Sequence, residues 1–336
     1  MGVRVGINGF GRIGRNFLRA AYAQGLDIEL VAVNDLTSIE TNAHLLRFDS
    51  THGRWDRRVA ADGDGISVDG KKFKVLAERD PKALPWGDLG VDVVIEATGI
   101  FTDRDKAAAH LDAGAPRVIV SAPSKGADAT FVMGVNDGEF NADQHKVVSN
   151  GSCTTNCFVP MVKVLDDAFG IERGLMTTTH AYTNDQNLLD LAHKDLRRAR
   201  AAATNIVPAS SGAAKATKEV LPNMVGLLDG SALRVPVPAG SITDFTALLK
   251  REVSVDEINQ AFKAAAESGA LAKVLDYSDD PLVSSDIVTT PASCTFDSGL
   301  TMANANLVKV FGWYDNEWGF SNRLAELAVM VGSANK

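Results

Sequence analysis

The stretch "VRVGINGFGRIGRNFLRAAYAQG", from Val3 to Gly25, decides the class of the fold. Its first six residues are mostly apolar or small, as in a short buried strand, and the turn "GFGRIG" follows directly. The residues after the turn have apolar side chains at helical spacing, and Gly25 ends that pattern. A second apolar run, "ELVAVND", ends at Asp35. A strand, a helix and a strand in so short a segment predict a right-handed crossover in a parallel sheet.

The glycines of this turn suggest a dinucleotide site. Gly9, Gly11 and Gly14 form a G-x-G-x-x-G motif at the start of the helix. Such glycines allow a pyrophosphate to approach the backbone, and the helix N-terminus supplies N–H groups and a positive dipole. Asp35 ends the second strand, where a carboxylate can accept a hydrogen bond from a ribose 2′-OH. The next two residues carry no positive charge, so we expect NAD rather than NADP. The alternative is a glycine turn followed by a surface aspartate.

The rest of the first half continues the same architecture. Apolar runs at Asp92–Gly99 and Arg117–Pro123, with helical spacing at Asp103–Leu111 between them, predict parallel strands covered on both faces. The polar, turn-rich segment Asp49–Lys74 predicts short antiparallel strands at an edge.

The pattern of apolar and polar residues changes after Cys153. Long alternating runs such as "GLMTTTHAYT" and "SITDFTALLKREV" predict an antiparallel sheet with one face covered by helices. "SVDE" at Ser254 is a capping-box pattern that begins a helix, and the last stretch, from Asn316 to Gly332, has the pattern of a C-terminal helix. The predicted fold class is α/β: a Rossmann-type dinucleotide-binding domain with a parallel sheet, and an α+β catalytic domain with a mainly antiparallel sheet.

Length and composition limit the possible functions. A chain of 336 residues exceeds one typical hydrophobic core, which predicts two domains. No apolar run reaches the roughly 18 residues of a membrane span, and we expect no signal peptide before the first strand. Three cysteines without an export signal predict reduced thiols and a cytoplasmic location. The net charge of −8 argues against a general nucleic-acid binder, so an anionic ligand needs a local cluster of cations or N–H groups.

The stretch "SNGSCTTNC", Ser149–Cys157, contains two of the cysteines and has four possible interpretations. They are a metal site, a disulfide, a reactive thiol, or two small buried side chains. A C-x₃-C pair without further ligands is poor support for zinc, so no metal site is predicted. Ser152 is a possible N-cap, which places Cys153 in a first helical turn, where the dipole and a nearby imidazole would lower the thiol pKa. On composition alone, a plain buried Cys153 remains equally open.

The surrounding residues favour one interpretation. "SNGSCTTNC" closely resembles the active-site motif of phosphorylating glyceraldehyde-3-phosphate dehydrogenases, and the resemblance covers essentially the whole chain. The further matching segments follow in the family's order: "INGFGRIGR", "TTTHAYTNDQ" at 177–186, "HKDLRRARAA" at 193–202, "SGAAKA" at 211–216, "LRVPVP" at 233–238 and "WYDNEWGFSNR" at 313–323.

The resemblance implies an organisation and a reaction. Residues 1–152 and 316–336 would form the NAD-binding domain, to which the C-terminal helix returns, and residues 153–315 the catalytic domain. It implies a homotetramer that needs neither membrane nor nucleic acid. The implied reaction is glycolytic and reversible: glyceraldehyde 3-phosphate, NAD and inorganic phosphate give 1,3-bisphosphoglycerate and NADH.

Roles for individual residues follow from the resemblance. Cys153 would be the nucleophile and His180 the base that activates it, while Cys157 and Cys294 would be structural. The implied cofactor contacts are Gly9, Gly11, Arg12, Ile13 and Gly14 at the pyrophosphate, Asp35 at the adenosine ribose, Arg79 and Ser121 at other parts, and Asn316 at the nicotinamide amide. The implied ligands of the two phosphate positions are Ser152, Thr154, Thr183, Arg198, Ser211, Gly212 and Arg234.

Three residues depart from the family's usual pattern. Phe320 replaces a common tyrosine, which would loosen packing near the nicotinamide. Ala192 replaces a common proline near the expected adenosine pocket of a neighbouring subunit, which weakens the expectation of NAD alone. Ser211 replaces threonine but keeps the hydroxyl.

Two rival functions are compatible with the sequence. Erythrose-4-phosphate dehydrogenase uses a similar cysteine and histidine on a longer aldehyde and ends in hydrolysis, but the second phosphate position here looks intact. A non-catalytic NAD- or RNA-binding protein of this fold is the alternative from another class. The presence of both Cys153 and His180 argues against it.

Overall fold

The structure is a computed structural model that describes residues 2–334 of the chain. These residues form two compact units. The first comprises the chain up to Phe131, Gly138–Gly151 and the chain from Ser321 onward, and the second comprises Val132–Asp137 and Ser152–Phe320. Within residues 2–334, no helix combines the length and apolar character needed to span a bilayer.

The second unit begins and ends at slightly different residues from the predicted catalytic domain. Residues 316–320 were assigned by sequence to the first domain but pack with the second unit. The reason is local contact: Asn316 Oδ1 accepts a hydrogen bond from Ser241 Oγ at 3.0 Å. Gly319 lies so close to Ala292 that a Cβ would come within 2.5 Å of the Ala292 carbonyl oxygen.

The first unit is built on a mainly parallel sheet. Its elements before Gly151, in chain order, are β1 (Val3–Asn8), α1 (Arg12–Gln24), β2 (Ile28–Asn34), α2 (Ile39–Arg47), β3 (Phe48–Asp49), β4 (Gly53–Arg54), β5 (Val59–Asp62), β6 (Gly65–Val68), β7 (Lys71–Leu76), β8 (Val93–Glu96), α3 (Arg104–Ala107), α4 (Ala109–Asp112), β9 (Val118–Val120), β10 (Ala129–Thr130) and β11 (Val147–Ser149). The strand order is β10-β11-β9-β8-β1-β2-β7-β6-β5, and β3 pairs with β4 separately.

The order of pairing confirms the predicted fold class of this unit. The pairs from β10 through to β7 are parallel, whereas β6 pairs antiparallel with both β7 and β5 at the edge. Helix α1 buries Phe17, Leu18 and Ala21, and Gly25 ends it in a left-handed conformation with φ of 64°. The helix predicted at residues 103–111 is instead two short helices that meet at Ala108.

The second unit contains a mixed sheet with a helical layer. Its elements are α5 (Cys153–Phe169), β12 (Ile171–Ala181), β13 (Val207–Ser210), α6 (Ala213–Val220), β14 (Leu228–Val235), β15 (Ser241–Leu249), α7 (Val255–Glu267), β16 (Leu275–Ser278), α8 (Ser284–Ile287), β17 (Cys294–Asp297), β18 (Met302–Asn304) and β19 (Leu307–Tyr314). Helix α9 (Trp318–Ser333) begins in this unit and belongs to the first unit from Ser321 onward. The strand order is β13-β14-β12-β15-β19-β17-β16.

Most pairs in this sheet are antiparallel, as predicted, but β12–β14 and β16–β17 are parallel. Helices α5 and α7 cover one face, with Phe158, Phe245, Phe262 and Phe296 in the core between helices and sheet. The predicted capping box is present, because Ser254 caps α7 and the Glu257 side chain returns to the Ser254 backbone.

The alternation along β12 positions a candidate catalytic side chain. Gly174, Met176, Thr178 and His180 are buried, and the residues between them are exposed or only partly buried. Because successive side chains of a strand point to opposite faces, His180 shares a face with Met176, which belongs to the same core as α5. The strand pattern therefore places the imidazole on the side where α5 begins.

Candidate functional site

The glycine loop of the first unit has no room for side chains at two positions. Gly9 has a φ of 92°, and a Cβ there would lie 2.7 Å from the Thr98 backbone nitrogen. A Cβ on Gly14 would lie 2.4 Å from the Gly9 carbonyl oxygen. A Cβ on Gly11, by contrast, would meet no atom of residues 2–334 within 4 Å. The first and third glycines thus let the loop pack, and the second faces open space.

The N-terminus of α1 is suited to an anion. Gly11 is its N-cap residue and has no side chain that could bond the first N–H groups of the helix. Those donors belong to Arg12 and Ile13, and the helix dipole adds positive potential. The Arg12 guanidinium is held by Asp49, so Arg12 can offer its backbone N–H to a pyrophosphate more readily than its side chain.

Asp35 follows β2 with a fixed carboxylate. One oxygen accepts from the Phe10 N–H at 3.0 Å and the other from the Thr37 N–H at 2.9 Å. Each carboxylate oxygen can accept a further bond, which suits a ribose hydroxyl. Arg79 is exposed in the loop after β7, and Ser121 follows β9. The uncapped helix, the open glycine and the oriented carboxylate fit a dinucleotide such as NAD.

Cys153 is the first residue of α5. The Ser152 hydroxyl caps the helix by accepting from the Thr155 N–H at 3.0 Å, as the sequence predicted. Cys153 is partly exposed, while Cys157 and Cys294 are fully buried at 0% exposure. The three cysteines therefore differ in exposure, and Cys153 is the one that is not fully buried.

The structure brings Cys153 and His180 together. The Cys153 Sγ atom lies 3.3 Å from Nε2 of His180. His180 is also next to Arg234, because β12 and β14 pair in parallel with these two residues in register. The resemblance implies only a phosphate role for Arg234, and nothing in the spacing indicates its contact with the imidazole, which depends on the strand register.

The second imidazole nitrogen has two competing partners. His180 Nδ1 lies 2.7 Å from the Ala181 carbonyl oxygen and 2.7 Å from Nη1 of Arg234. A protonated Nδ1 donates to the carbonyl, whereas a bare Nδ1 accepts from the guanidinium. The carbonyl also lies 3.1 Å from Arg234 Nη1, so the guanidinium has an alternative acceptor. Nε2 is bare, and able to accept a proton, only in the neutral state whose Nδ1 is protonated.

The pKa values of the pair move apart. Burial raises the pKa of the Cys153 thiol to about 11, against the Arg234 charge and hydrogen bonds from Thr154. Burial, reinforced by the Arg234 charge, lowers the pKa of His180 to about 3. This direction is opposite to the lowered thiol pKa expected from the sequence, because burial of the sulfur disfavours its charged form. At neutral pH the pair holds one proton, which can lie on sulfur or on nitrogen.

Tyr314 and Ser241 complete the cluster and were not singled out from sequence. The Tyr314 hydroxyl lies 2.9 Å from Thr154 Oγ1 and 2.7 Å from Thr178 Oγ1, so it joins α5 to β12. Ser241 Oγ accepts from the Ala181 N–H and donates to Asn316 Oδ1. The only sequence signal for Tyr314 was its place within "WYDNEWGFSNR".

The other predicted phosphate ligands lie in different surroundings. The Thr154 hydroxyl is turned inward to Tyr314, and its side chain is only 4% exposed. Arg198 forms ion pairs with Asp185 and Asp195, so a phosphate would compete with two carboxylates. Thr183 follows β12, while Ser211 and Gly212 lie at the N-terminus of α6.

Comparison with known proteins gives one consistent result. The family model "Glyceraldehyde 3-phosphate dehydrogenase, NAD binding domain" matches residues 3–104, and "Glyceraldehyde 3-phosphate dehydrogenase, C-terminal domain" matches residues 152–316. A protein of Streptomyces coelicolor named glyceraldehyde-3-phosphate dehydrogenase is 60% identical over 334 residues, 99% of each chain. A Mycobacterium avium protein of the same name is 62% identical over 340 residues, covering 99% of this chain and 100% of its own.

Proposed function

The chain belongs to the glyceraldehyde-3-phosphate dehydrogenase family, and from this premise we propose how its residues carry out the family's reaction. The protein is an NAD-dependent oxidoreductase of glycolysis that converts glyceraldehyde 3-phosphate and inorganic phosphate to 1,3-bisphosphoglycerate. In the proposed division of labour, the first unit binds NAD and the second carries the covalent chemistry. The observation that supports the chemistry most directly is the 3.3 Å separation of Cys153 Sγ and His180 Nε2.

Cys153 and His180 act as one nucleophilic unit. Transfer of the shared proton to His180 leaves a Cys153 thiolate, whose sulfur adds to the aldehyde carbon to form a hemithioacetal. The protonated imidazole returns its proton to the new oxygen, and Nε2 then accepts the hydroxyl proton as the carbon is oxidised. Bound NAD supplies the hydride acceptor for that oxidation. The resulting thioester is attacked by phosphate, which releases the Cys153 sulfur and the acyl phosphate.

Arg234 links the phosphate ligand to the state of His180. Its guanidinium matches a phosphate bidentately, and the same group now lies 2.7 Å from His180 Nδ1. A phosphate that draws Arg234 away leaves Nδ1 free to donate to the Ala181 carbonyl. That change keeps Nε2 bare and able to accept a proton. Ser152, Thr183, Arg198, Ser211 and Gly212 are proposed as further phosphate ligands, with a backbone contribution from Thr154.

One experiment tests this function. NADH formation is followed by absorbance after glyceraldehyde 3-phosphate is added to the enzyme and NAD, with inorganic phosphate present or omitted. We expect sustained turnover only with phosphate. Faster turnover of erythrose 4-phosphate without a phosphate requirement would identify the rival dehydrogenase. Salt-dependent RNA binding without NADH formation would identify a non-catalytic protein.

The cofactor preference depends on Asp35. A carboxylate that bonds a 2′-OH repels a 2′-phosphate, so kcat/KM is expected to favour NAD over NADP by at least ~10²-fold, about 2.7 kcal/mol. Asp35→Gly and Asp35→Asn should both narrow this ratio, whereas Asp62→Gly, at a surface acid of β5, serves as the control. Equal efficiency of the wild-type protein with both cofactors would contradict the prediction and direct attention to Ala192.

Arg234→Leu separates phosphate binding from NAD binding. We expect at least a ~10-fold rise in KM for the aldehyde or for phosphate, with an unchanged Kd for NAD, because the arginine belongs to the second unit. The charge of Arg234 helps to lower the His180 pKa, so its removal raises that pKa. The inactive pair, in which Cys153 is a thiol and His180 an imidazolium, then forms at higher pH. The acid limb of the pH–rate profile therefore shifts to higher pH. Arg200→Leu, which removes an exposed arginine paired with Asp190, is the control. An equal loss of NAD affinity in Arg234→Leu would show that the residue is structural.

We further propose a cytoplasmic homotetramer. An exposed face of the second sheet supports self-association, since Leu175, Met302 and Leu307 are 68%, 57% and 46% exposed. Large apolar side chains gathered on one surface are typical of interfaces between subunits. Light scattering of the purified protein is expected to give the mass of four chains, and a monomer at working concentration would refute the proposal.

A further inference from the structure

A buried chain of hydrogen bonds crosses the C-terminal ends of β8, β1 and β2 beside the glycine loop. We call it the edge chain, and it consists of Trp86, His110, Glu96, Asn8 and Asn34. None of these residues is more than 5% exposed. A polar group buried to this extent lowers the stability of the fold unless it is hydrogen-bonded. The requirement that each donor meets an acceptor therefore determines the direction of each hydrogen bond.

The direction of the edge chain follows from Trp86. An indole N–H can only donate, and Trp86 Nε1 lies 3.0 Å from His110 Nδ1, which must therefore accept. The proton of the neutral imidazole is then on Nε2, which donates to Glu96 Oε2 at 2.9 Å. His110 cannot change tautomer without setting two N–H groups against each other. The histidine is consequently a fixed donor to Glu96.

Glu96 joins two loops of the proposed cofactor site. Its Oε2 atom also accepts from Asn8 Nδ2 at 2.7 Å, and its Oε1 atom accepts from the Thr98 N–H at 2.8 Å and from the Thr98 hydroxyl. Asn8 immediately precedes Gly9, whose missing side chain leaves room for the Thr98 backbone. One carboxylate thus ties the glycine loop to residues 97–99.

The edge chain continues to the adenosine side of the loop. Asn8 Oδ1 accepts from Asn34 Nδ2 at 2.8 Å. Asn34 in turn bonds both backbone groups of Glu78, accepting from its N–H at 2.7 Å and donating to its carbonyl at 2.8 Å. Asn34 precedes Asp35, and Glu78 precedes Arg79. The edge chain therefore holds the backbone directly before two residues that are proposed to contact the cofactor.

We propose that Glu96 is a positioning residue for NAD. Through Asn8, Asn34 and Thr98 it holds the loops after β1, β2, β7 and β8 in the arrangement that receives the dinucleotide before it binds. NAD affinity therefore includes little cost of ordering these loops. The inference rests on the NAD site of the proposed function and adds to it residues that need not touch the cofactor.

Glu96→Gln tests the proposal with almost no change in volume. The new amide group must face either Asn8 and His110 or the two donors of Thr98, and His110 cannot adapt because Trp86 occupies Nδ1. We expect the Kd for NAD to rise at least ~10-fold, about 1.4 kcal/mol. Without NAD, amide hydrogen exchange of residues 8–14 and 97–99 should become faster. Alkylation of Cys153 in the absence of NAD should keep its wild-type rate.

Asp128→Asn provides the matched control. Asp128 lies beside β10 at the far edge of the same sheet and accepts from the Lys146 N–H, the Val147 N–H and Arg104 Nε. Its replacement is expected to lower the melting temperature without changing the Kd for NAD. Thr98→Val removes the hydroxyl that donates to Glu96 and accepts from the Ile100 N–H, but keeps the bond from the Thr98 N–H to Glu96. It is a milder variant for use if Glu96→Gln does not fold, and a ~3-fold rise in Kd is expected from it.

Three results would overturn the inference. They are wild-type NAD affinity with wild-type exchange in Glu96→Gln, an equal loss of affinity in Asp128→Asn, and wild-type affinity in Thr98→Val where only that variant folds. Failure of the proposed function is recognised separately, because a wild-type protein that forms no NADH would refute it whatever the exchange rates show.

Discussion

Cys153→Ser is expected to lower the rate of NADH formation by about 10⁴-fold or more, the scale of loss when an enzyme's nucleophile is removed. A serine alkoxide is far more basic than a cysteine thiolate. His180 therefore cannot take the proton of a serine hydroxyl to generate a useful fraction of the nucleophile. An oxygen ester would also be a poorer acyl donor to phosphate than the thioester. Steady-state kinetics at saturating NAD measure the loss, and Cys157→Ala, at a buried thiol one turn along α5, is the control expected to stay active.

Alkylation gives a second readout of the same assignment. Limiting iodoacetamide at pH 7 should label Cys153 first and abolish activity at one label per subunit, because Cys157 and Cys294 are fully buried. Peptide mapping identifies the labelled residue. An active Cys153→Ser enzyme, or a first label on Cys157 or Cys294, would show that the nucleophile is wrongly assigned.

His180→Asn is expected to cut kcat by roughly 10²–10⁴-fold, the usual contribution of a positioned acid–base group. Asparagine can neither take the thiol proton nor accept the hydroxyl proton of the hemithioacetal. The His145→Asn variant alters a histidine of the first unit and should retain full activity. A variant at His180 with wild-type kcat would exclude the residue as the base.

The pH dependence of alkylation distinguishes a base from a structural histidine. In the wild-type protein, the pair holds one proton across neutral pH, so the labelling rate should change little there. In His180→Asn the thiol has no imidazole to take its proton and loses it only to water, while the burial that raises the thiol pKa in the wild-type protein remains. The thiolate fraction then rises with pH, and the labelling rate should be slower at pH 7 and increase about tenfold per pH unit below that pKa. A flat profile in the variant would contradict this account.

Part of the active site could be predicted because its signals are local. Gly9 and Gly14 must be glycines for reasons of chain geometry, and the Ser152 cap places Cys153 in the first turn of α5. Burial on alternate residues of β12 accounts for the inward His180. These features depend on a few neighbouring residues, so periodicity and capping rules reveal them. The roles of Cys153 and His180, however, came from the resemblance and not from spacing.

The electrostatics of the site could not be predicted in the same way. The helix dipole and a nearby histidine were expected to lower the thiol pKa, but the burial of Cys153 reverses the direction. Arg234 contacts His180 only because β12 and β14 pair in one particular register. Asp185 and Asp195 form ion pairs with Arg198 within a loop. The sequence of this loop has no periodic pattern from which these contacts could be predicted. Desolvation and ion pairing depend on all neighbours in space, which a sequence pattern does not specify.

The sequence by itself determined the strand–helix–strand unit, the glycine loop with Asp35 after it, and the alternation that separates the second sheet from the first. Each is a local consequence of backbone geometry and of which side chains avoid water. The tertiary structure alone decided that Trp86, His110, Glu96, Asn8 and Asn34 form one chain of hydrogen bonds, because parallel pairing of β2, β1 and β8 brings their ends together. It also decided which atoms share the proton of Cys153 and His180, because a hydrogen bond is set by the distance between two atoms and not by their separation along the chain.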